Sequence, residues 1–334
     1  MEKSPIKQKR NVKSWNRFLT RQLAVKPELM GLKHQFQFED NQVEISLPEI
    51  SKVKDPHDDS AMATVGSKWA KNNEPREYKI CQVDIRSNIG CTLDIDPETF
   101  NRNPVAYELY TEAEREVFEE HCNSHENYAK RALEYWFSIL RWKLDDYRIG
   151  RAEVVDNNSG WSTHLEDIEK NRTIWIKSVC FTAQGYKVIT LNEWNDIQNC
   201  LSSFKTSPIY VSLKHDAESS MIHGDYARSI VELAMACEVF MRFMVSDKLP
   251  KSLRDNLVEA IEELNINQYV TKHFRALVPE ANLKEYGKLS KELSSLFSKR
   301  NKIVHMGKND GADQNNCGRF LKLANKLFKY SEIV

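Results

Sequence analysis

The chain has 334 residues, of which 41% are hydrophobic and 29% are charged. This composition excludes a wholly disordered protein, and the length favours two domains over one. The 48 Lys and Arg residues equal the 48 Asp and Glu residues in number, so no net charge draws the chain toward nucleic acid or an anionic membrane, and any basic surface has to be local.

The N-terminus and the cysteines predict a cytoplasmic protein. The basic segment MEKSPIKQKRNVKSW is followed by no apolar run of the kind found in signal peptides, and no stretch of about 18 apolar residues occurs in the chain. We therefore expect no membrane association. The seven cysteines are scattered without a CxxC pair, and their odd number argues against a disulfide framework.

Residues 1–205 are predicted to form a β-containing domain. Alternating apolar residues on both sides of a polar turn predict a hairpin at residues 34–47, HQFQFEDNQVEISL. Residues 48–78 are polar, show little periodicity and predict a flexible surface loop. Further strands are predicted from runs rich in β-branched and aromatic residues, namely YKICQVDI, GCTLDI, TIWIKSVCF and YKVITL.

Two helices are predicted within this domain. The first covers residues 111–147 and could break near Asn123 and Ser124. Its second half carries a cluster of large apolar residues, Tyr135, Trp136, Ile139, Leu140 and Trp142. Such a cluster could stack against bases, but its helical spacing favours a place in the core. The second helix covers residues 192–201 with Asn192 as its N-cap, and the segment SSFKTSP after it predicts the domain boundary.

One short segment of the first helix resembles half of a metal site. His121 and His125 are four residues apart, with Cys122 between them, as zinc ligands on a helix could be. No second pair of ligands accompanies them, so a solvated helix surface is the favoured interpretation. We expect no metal ion and no cofactor.

Residues 206–334 are predicted to be an all-α domain, which makes the fold class α+β. The helix in GDYARSIVELAMACEVFMRFMV has the clearest apolar periodicity in the chain. A second helix is expected after Pro250, and a third covers QYVTKHFRALV. A fourth runs from about Asn282 to His305 with Gly307 as its C-terminal cap, and a last helix carries Phe320 to Phe328.

The end of the fourth helix, SKRNKIVHMGKN, contains a candidate site. Helical geometry places Arg300 near the middle of the apolar stripe, where its charge requires a partner. Asn301 and His305 share another side of the helix, so Arg300 and His305 do not converge on ideal geometry. Either the last turn is distorted, or the two groups meet across a two-fold dimer.

A purely structural interpretation of the same residues also exists. Arg300 could pair with a core carboxylate such as Glu238 on the first helix of the domain, while His305 only completes a helix C-terminus. Residue chemistry alone favours this interpretation.

The segments DYARSIVELAMACEVFMRFMV and LSSLFSKRNKIVHMG resemble the first long helix and the motif-bearing helix of the higher eukaryotes and prokaryotes nucleotide-binding (HEPN) superfamily. The resemblance covers residues 216–334 and rests on an arginine, a polar residue and a histidine in RNKIVH. It implies a helical bundle that acts as a homodimer and cleaves RNA without a metal ion, often as a bacterial toxin or an antiviral (abortive infection) effector. Other members of this superfamily bind RNA, nucleotides or proteins without cleavage.

The resemblance also implies a role for each residue of the motif. Histidine exchanges protons near neutral pH, so His305 could act as general base or general acid. Arg300 would hold the phosphate and stabilise the charge of the transition state, and Asn301 would orient His305 or the phosphate. Because the nucleophile is the ribose 2′-hydroxyl, DNA would remain intact.

Nearby lysines predict a local substrate surface. Lys299, Lys302 and Lys308 surround the motif and could bind phosphates, although a solvated helix face is the simpler explanation for them. Residues 1–205 resemble no family that we recognise. A sensor role, in which they hold the bundle inactive until a phage or cellular trigger arrives, rests only on the presence of a second domain. An antitoxin is a further expected partner.

Overall fold

A computed structural model describes residues 8–54, 61–68, 74–95, 110–151, 161–167, 172–179, 187–249 and 265–332. The chain divides into two compact units, Met1–Thr206 and Ser207–Val334. The predicted boundary, between residues 205 and 206, is adjacent to this division. The mixed α+β class is confirmed, because the first unit contains a sheet and a long helix and the described part of the second unit contains helices.

The described strands of the first unit belong to one sheet. Their bounds are β1 Gln8–Val25, β2 Lys33–Phe38, β3 Asn41–Ser46, β4 Val53–Lys54, β5 Ala63–Lys68, β6 Pro75–Ile95, β7 Trp161–Asp167, β8 Arg172–Val179 and β9 Lys187–Ile189. The main path through the sheet has the order β2-β3-β6-β1-β7-β8, with each neighbouring pair antiparallel. β5 pairs antiparallel with β6, while β4 runs parallel to β5 and β9 runs parallel to β1.

The hairpin predicted at residues 34–47 is confirmed as β2 and β3. Phe36 pairs with Val43, and His34 pairs with Ile45, and all four side chains are buried. Because side chains alternate between the two faces of a strand, every second residue reaches the core while Gln35, Gln37 and Glu44 lie on the other face.

The prediction of a loop at residues 48–78 is wrong in part. Residues 55–60 and 69–73 lie outside the described residues, but β4, β5 and the beginning of β6 fall within the predicted loop. YKICQVDI and GCTLDI also belong to a single strand, β6, and are not two strands. Gly90 marks an irregularity of the β1–β6 register, where a Cβ would lie 3.0 Å from the carbonyl oxygen of Val12.

The long helix α1, Glu112–Leu144, is continuous. It begins at a capping box, in which the Thr111 side chain accepts from the backbone N–H of Glu114 and the Glu114 carboxylate accepts from the backbone N–H of Thr111. The predicted break at Asn123 and Ser124 is wrong, because both side chains are exposed and their polarity is compatible with a solvent-facing helix surface. The large apolar residues of its second half lie in or against the core, as predicted.

A buried histidine links β2 to two helices that the structure describes in the first unit. Trp136 of α1 donates from Nε1 to Nδ1 of His34 at 2.9 Å, so Nε2 of His34 carries the proton and donates to the carbonyl oxygen of Trp194 at 3.0 Å. Trp194 lies on α2, Leu191–Ser202, and its ring stacks on His34 at 3.6 Å. The predicted N-cap Asn192 is wrong, because Thr190 caps α2 through a second capping box with Glu193.

The described α-helices of the second unit are α3 Ile209–Ile222, α4 Tyr226–Asp247, α6 Leu283–Met306 and α7 Gln314–Phe328. Between α4 and α6, helix α5 consists of three short consecutive pieces, Ile266–Gln268, Tyr269–His273 and Phe274–Leu277. The helix expected after Pro250 lies outside the described residues. The other predicted helices are confirmed, whereas α3 was not predicted, because buried polar residues such as Lys214 and His215 interrupt its apolar pattern.

One hydrophobic core holds these helices together. α4 contributes Phe240 and Met241, α6 contributes Leu293 and Leu296, and α7 contributes Phe320, and all five side chains are fully buried. Burial of each such side chain contributes roughly 1.5–3 kcal/mol. Among the described residues, none of the helices has the length and apolarity needed to cross a membrane.

Candidate functional site

The RNKIVH segment lies at the C-terminal end of α6, beyond the part of the helix that the core covers. The buried residues of α6 are Tyr286, Leu289, Leu293, Leu296 and Phe297. After Phe297 the helix continues for more than two turns, but Val304 is 50% exposed and Met306 is 59% exposed. The sequence therefore places the motif on a part of α6 that contributes little to the core.

The end of α6 is regular. Gly307 has φ +60°, and its N–H donates to the carbonyl oxygen of Ile303 at 3.1 Å, as the prediction of a C-terminal cap requires. A distorted last turn, one of the two ways in which Arg300 and His305 could meet, is therefore absent from α6. Five residues along an α-helix correspond to a rotation that leaves the two side chains about 140° apart.

Arg300 is half-buried and has a local partner that carries no charge. Its Nη1 donates to Oδ1 of Asn301 at 3.0 Å. The suggested pairing with Glu238 is wrong: Glu238 accepts from Nη2 of Arg242 at 2.8 Å, one turn further along α4. Residues four apart on a helix lie side by side, so this pair forms within one element. Within the described part of the chain, no carboxylate pairs with Arg300.

Asn301 and His305 are exposed on the last turns of α6. The described residues contain no hydrogen-bond partner for the imidazole of His305. The end of α6 thus carries three polar groups on two of its sides. The imidazole of His305 and the amide of Asn301 are exposed, and the guanidinium of Arg300 has no carboxylate partner among the described residues. In chemical terms they offer a proton acceptor or donor and a phosphate-binding group.

Lys299 has a structural role that the sequence did not reveal. Its Nζ donates to the carbonyl oxygen of Asp310 at 2.7 Å and thereby holds the loop that follows α6. Next to it, Asp313 caps α7 by accepting from the backbone N–H of Asn316 at 2.8 Å, and this hydrogen bond lowers the pKa of the Asp313 carboxyl. This contact uses one of the three donors of the ammonium group and leaves its charge uncompensated, so the predicted substrate role of Lys299 stays a prediction.

Lys302 and Lys308 are exposed, and neither has an ion-pair partner among the described residues. Their predicted substrate role stays a prediction. Sequence reasoning missed two other lysines, Lys284 and Lys288, which face the basic residues of α7 across a groove. Their spacing of four residues was the available signal, because it places two like charges side by side on a helix.

The solvated helix surface expected at the histidine pair of α1 is wrong, because Cys122 and His125 are buried and His121 is half-buried. His121 and His125 approach each other with 2.9 Å between their Nε2 atoms, so one ring donates to the other. Burial lowers the pKa of His125 to about 4, and the charge of His121 adds to this effect. The part of the chain that the structure describes contains no group of three or more ligands suited to a metal ion.

Comparison with known proteins gives no further guide to the site. No family model, no curated protein and no solved structure matches this chain. The interpretation of the helix end therefore rests on its residues and on their geometry.

Proposed function

We propose that the second unit is a HEPN-like domain that cleaves RNA without a metal ion. The observation that carries this proposal is the position of Arg300, Asn301 and His305 on a part of α6 that the core leaves uncovered. Arg300 has only the neutral amide of Asn301 as its described partner, so its positive charge remains available to a phosphate. A guanidinium that served only as a core ion pair would have a carboxylate opposite it.

The chemistry uses the substrate's own nucleophile. His305 takes the proton of the ribose 2′-hydroxyl, whose oxygen attacks the adjacent phosphorus, while a water molecule protonates the departing 5′-oxygen and the imidazolium returns its proton to the solvent. Arg300 stabilises the negative charge that builds on the phosphate oxygens, and Asn301 orients Arg300 through the hydrogen bond between them. The products carry a cyclic phosphate and a free 5′-hydroxyl, and DNA is not a substrate.

A homodimer would solve the geometric problem of the motif. On one regular helix the two side chains diverge by about 140°, so Arg300 and His305 of a single chain do not act on one phosphate. A two-fold axis near the end of α6 would place Arg300 of each chain beside His305 of the other. Val304 and Met306, exposed on the same helix end, supply apolar surface for such an interface.

The proposed setting is a cytoplasmic toxin or antiphage effector. In this setting the first unit, an antitoxin or a phage-derived trigger would control when cleavage occurs. The proposal predicts that expression of the wild-type chain slows growth and that the His305→Ala variant does not.

The experiment is an RNA cleavage assay in the presence of EDTA. The substrates are a structured RNA labelled at its 5′ end and a DNA of the same sequence. We expect the wild-type chain to cut the RNA and leave the DNA intact, and we expect Arg300→Ala and His305→Ala each to lower the rate at least a hundredfold. Arg275→Ala and His223→Ala, which change exposed residues elsewhere in the same unit, should retain the wild-type rate.

Two results would overturn the proposal. The first is cleavage by both motif variants at the wild-type rate. The second is RNA binding by the wild-type chain without any strand scission, which would instead support a non-catalytic RNA-binding or protein-binding module. Circular dichroism of each variant shows whether the helices are retained.

A further inference from the structure

A groove of about 950 Å³ lies between the N-terminal half of α6 and helix α7. Its floor is apolar and contains Leu289, Leu323 and Tyr330, which are all buried. Its rim is basic. Lys284 and Lys288 line it from α6, and Arg319, Lys322 and Lys326 line it from α7.

The charges of this groove are unbalanced. Five cationic residues line it against two acidic ones, Glu285 and Glu292. All seven side chains are exposed, and within the described ranges none of the five cations forms an ion pair with a carboxylate. The positive charge of the rim is thus directed to the solvent and is available to an anionic ligand.

The arrangement on each helix disfavours a purely structural role. Lys284 and Lys288 are four residues apart on α6, and Lys322 and Lys326 are four residues apart on α7. Like charges at this spacing repel each other and destabilise a helix. Glu292, four residues after Lys288, offsets part of this repulsion on α6, whereas α7 has no acidic residue three or four positions from Lys322 or Lys326. A polyanion that binds between the two helices would remove both repulsions at once.

The groove and the RNKIVH segment share helix α6, so their separation follows from helix geometry. Lys288 precedes Arg300 by twelve residues, which correspond to about 18 Å along the helix axis and to about 120° around it. This length equals about five nucleotide steps at 3.4 Å per step. One RNA strand is therefore long enough to contact both sites.

We propose that this groove binds the phosphate backbone of the RNA strand that flanks the cleaved bond. The inference rests on the proposed function for its choice of ligand, but it concerns different residues and a different measurement. The site recognises the regular negative charge of a polynucleotide and reads no base, because its rim offers ammonium and guanidinium groups and its aromatic residue is buried.

The test measures binding in the absence of cleavage. A fluorescein-labelled 20-nucleotide RNA is titrated with the full-length His305→Ala chain, and fluorescence anisotropy is recorded at several salt concentrations. In this background we expect the pair Lys322→Glu and Lys326→Glu to weaken binding at least tenfold and to reduce the slope of log K against log salt by about 1.4. The matched control, Lys272→Glu with Lys291→Glu, makes the same charge change outside the groove and should alter binding less than threefold.

The possible results test the groove site independently of the proposed RNA cleavage. Equal weakening by both pairs, or by neither, would overturn the groove site whether or not the wild-type chain cuts RNA. Weakening by the groove pair alone supports the site even if no cleavage is found. Poly-glutamate serves as a competitor that represents an acidic protein. If it binds as tightly as the RNA, the choice of RNA as the ligand is wrong. If the groove pair fails to fold, as judged by circular dichroism, Lys322→Gln with Lys326→Gln takes its place under the same criteria.

Discussion

Arg300 and Asn301, adjacent in sequence, are joined through their side chains: Nη1 of the arginine donates to Oδ1 of the asparagine at 3.0 Å. The amide oxygen orients the guanidinium without neutralising it. A carboxylate in the same place would compete with a substrate phosphate for the same group. Substitutions of Asn301 therefore test whether RNA cleavage depends on the positive charge of Arg300.

Asn301→Asp should impair RNA cleavage more than Asn301→Ala. The aspartate would place a negative charge at hydrogen-bond distance from Arg300 and repel the incoming phosphate. We expect kcat/KM to fall by about tenfold or more for the aspartate variant and by less for the alanine variant. Asn309→Asp, an exposed site in the following loop, is the control for net charge. Equal rates for both Asn301 variants would contradict the role assigned to the Arg300 charge.

Lys299→Met should destabilise the second unit, whereas Lys302→Met should not. The methionine retains the unbranched stem of the side chain but lacks the terminal nitrogen, so it cannot donate to the carbonyl oxygen of Asp310. We expect the free energy of unfolding to fall by about 1 kcal/mol. Urea unfolding followed by circular dichroism measures this difference. Equal stabilities of the two variants would show that Lys299 is not needed to hold the loop.

Gly311→Ala should be more costly than Gly307→Ala. Both glycines have positive φ, which alone costs about 1 kcal/mol for alanine. A Cβ at Gly311 would also displace Nζ of Lys299 from the carbonyl oxygen of Asp310, whereas the space around Gly307 is open. We therefore expect a loss of about 2 kcal/mol at Gly311. In a Lys299→Met background, Gly311→Ala and Gly307→Ala should lower the free energy of unfolding by similar amounts. A double-mutant cycle of Lys299→Met and Gly311→Ala measures the interaction energy between the two positions.

The first unit should lose stability as the pH falls below about 6.5. Burial lowers the pKa of His34 to about 4, and its hydrogen bond to Trp194 offsets part of this shift. Between about pH 6.5 and about pH 4 this histidine is therefore protonated in the unfolded chain and neutral in the folded chain. The full stability is present above pH 6.5, and it falls by up to about 1.4 kcal/mol per pH unit until the pH reaches about 4. His125, with its pKa also lowered to about 4, acts over the same range.

Tryptophan fluorescence measures this dependence selectively, because all seven tryptophans precede residue 207. Urea unfolding at pH 7 and pH 5 gives the two free energies. We expect His34→Gln and His125→Gln each to reduce the difference between them by about 1 kcal/mol or more. A difference that neither substitution changes would contradict the assignment to these histidines.

The elements that were predicted correctly are those in which apolar residues recur at the regular spacing of a strand or a helix. The β2–β3 hairpin and helices α4, α6 and α7 have one buried and one exposed face, and this contrast is visible in the residues. The α6 cap at Gly307 was predicted for a similar reason, since glycine adopts a positive φ without strain.

Elements without such a contrast were missed. β1 buries Ser14 and Asn16 on the same face as Val12, so apolar and polar residues do not alternate along its sequence. In β6, Gly90 resembles a turn residue, but it allows a close approach of β1. Polar Asn123 indicated a break in α1, yet it lies on the solvent face. In each case tertiary packing determined the structure, and local composition did not.

The sequence predicted where the residues of the candidate site lie on α6, but it predicted only some of their contacts. Helical spacing correctly separated Arg300 from His305, because α6 is regular to its end. The pairing of Glu238 with Arg242 and the contact of Lys299 with Asp310 could not be predicted, since each depends on which of several partners the folded chain brings within reach.

The most direct test of the proposed composite site is a mixing experiment with two inactive variants. Arg300→Ala and His305→Ala chains are purified separately, mixed in equal amounts under conditions that allow subunit exchange, and assayed for RNA cleavage in EDTA. If Arg300 of one chain acts with His305 of its partner, each mixed dimer retains one intact pair, and activity should return to about a quarter of the wild-type rate. A mixture that exchanges subunits but is as inactive as either variant alone would contradict the composite site.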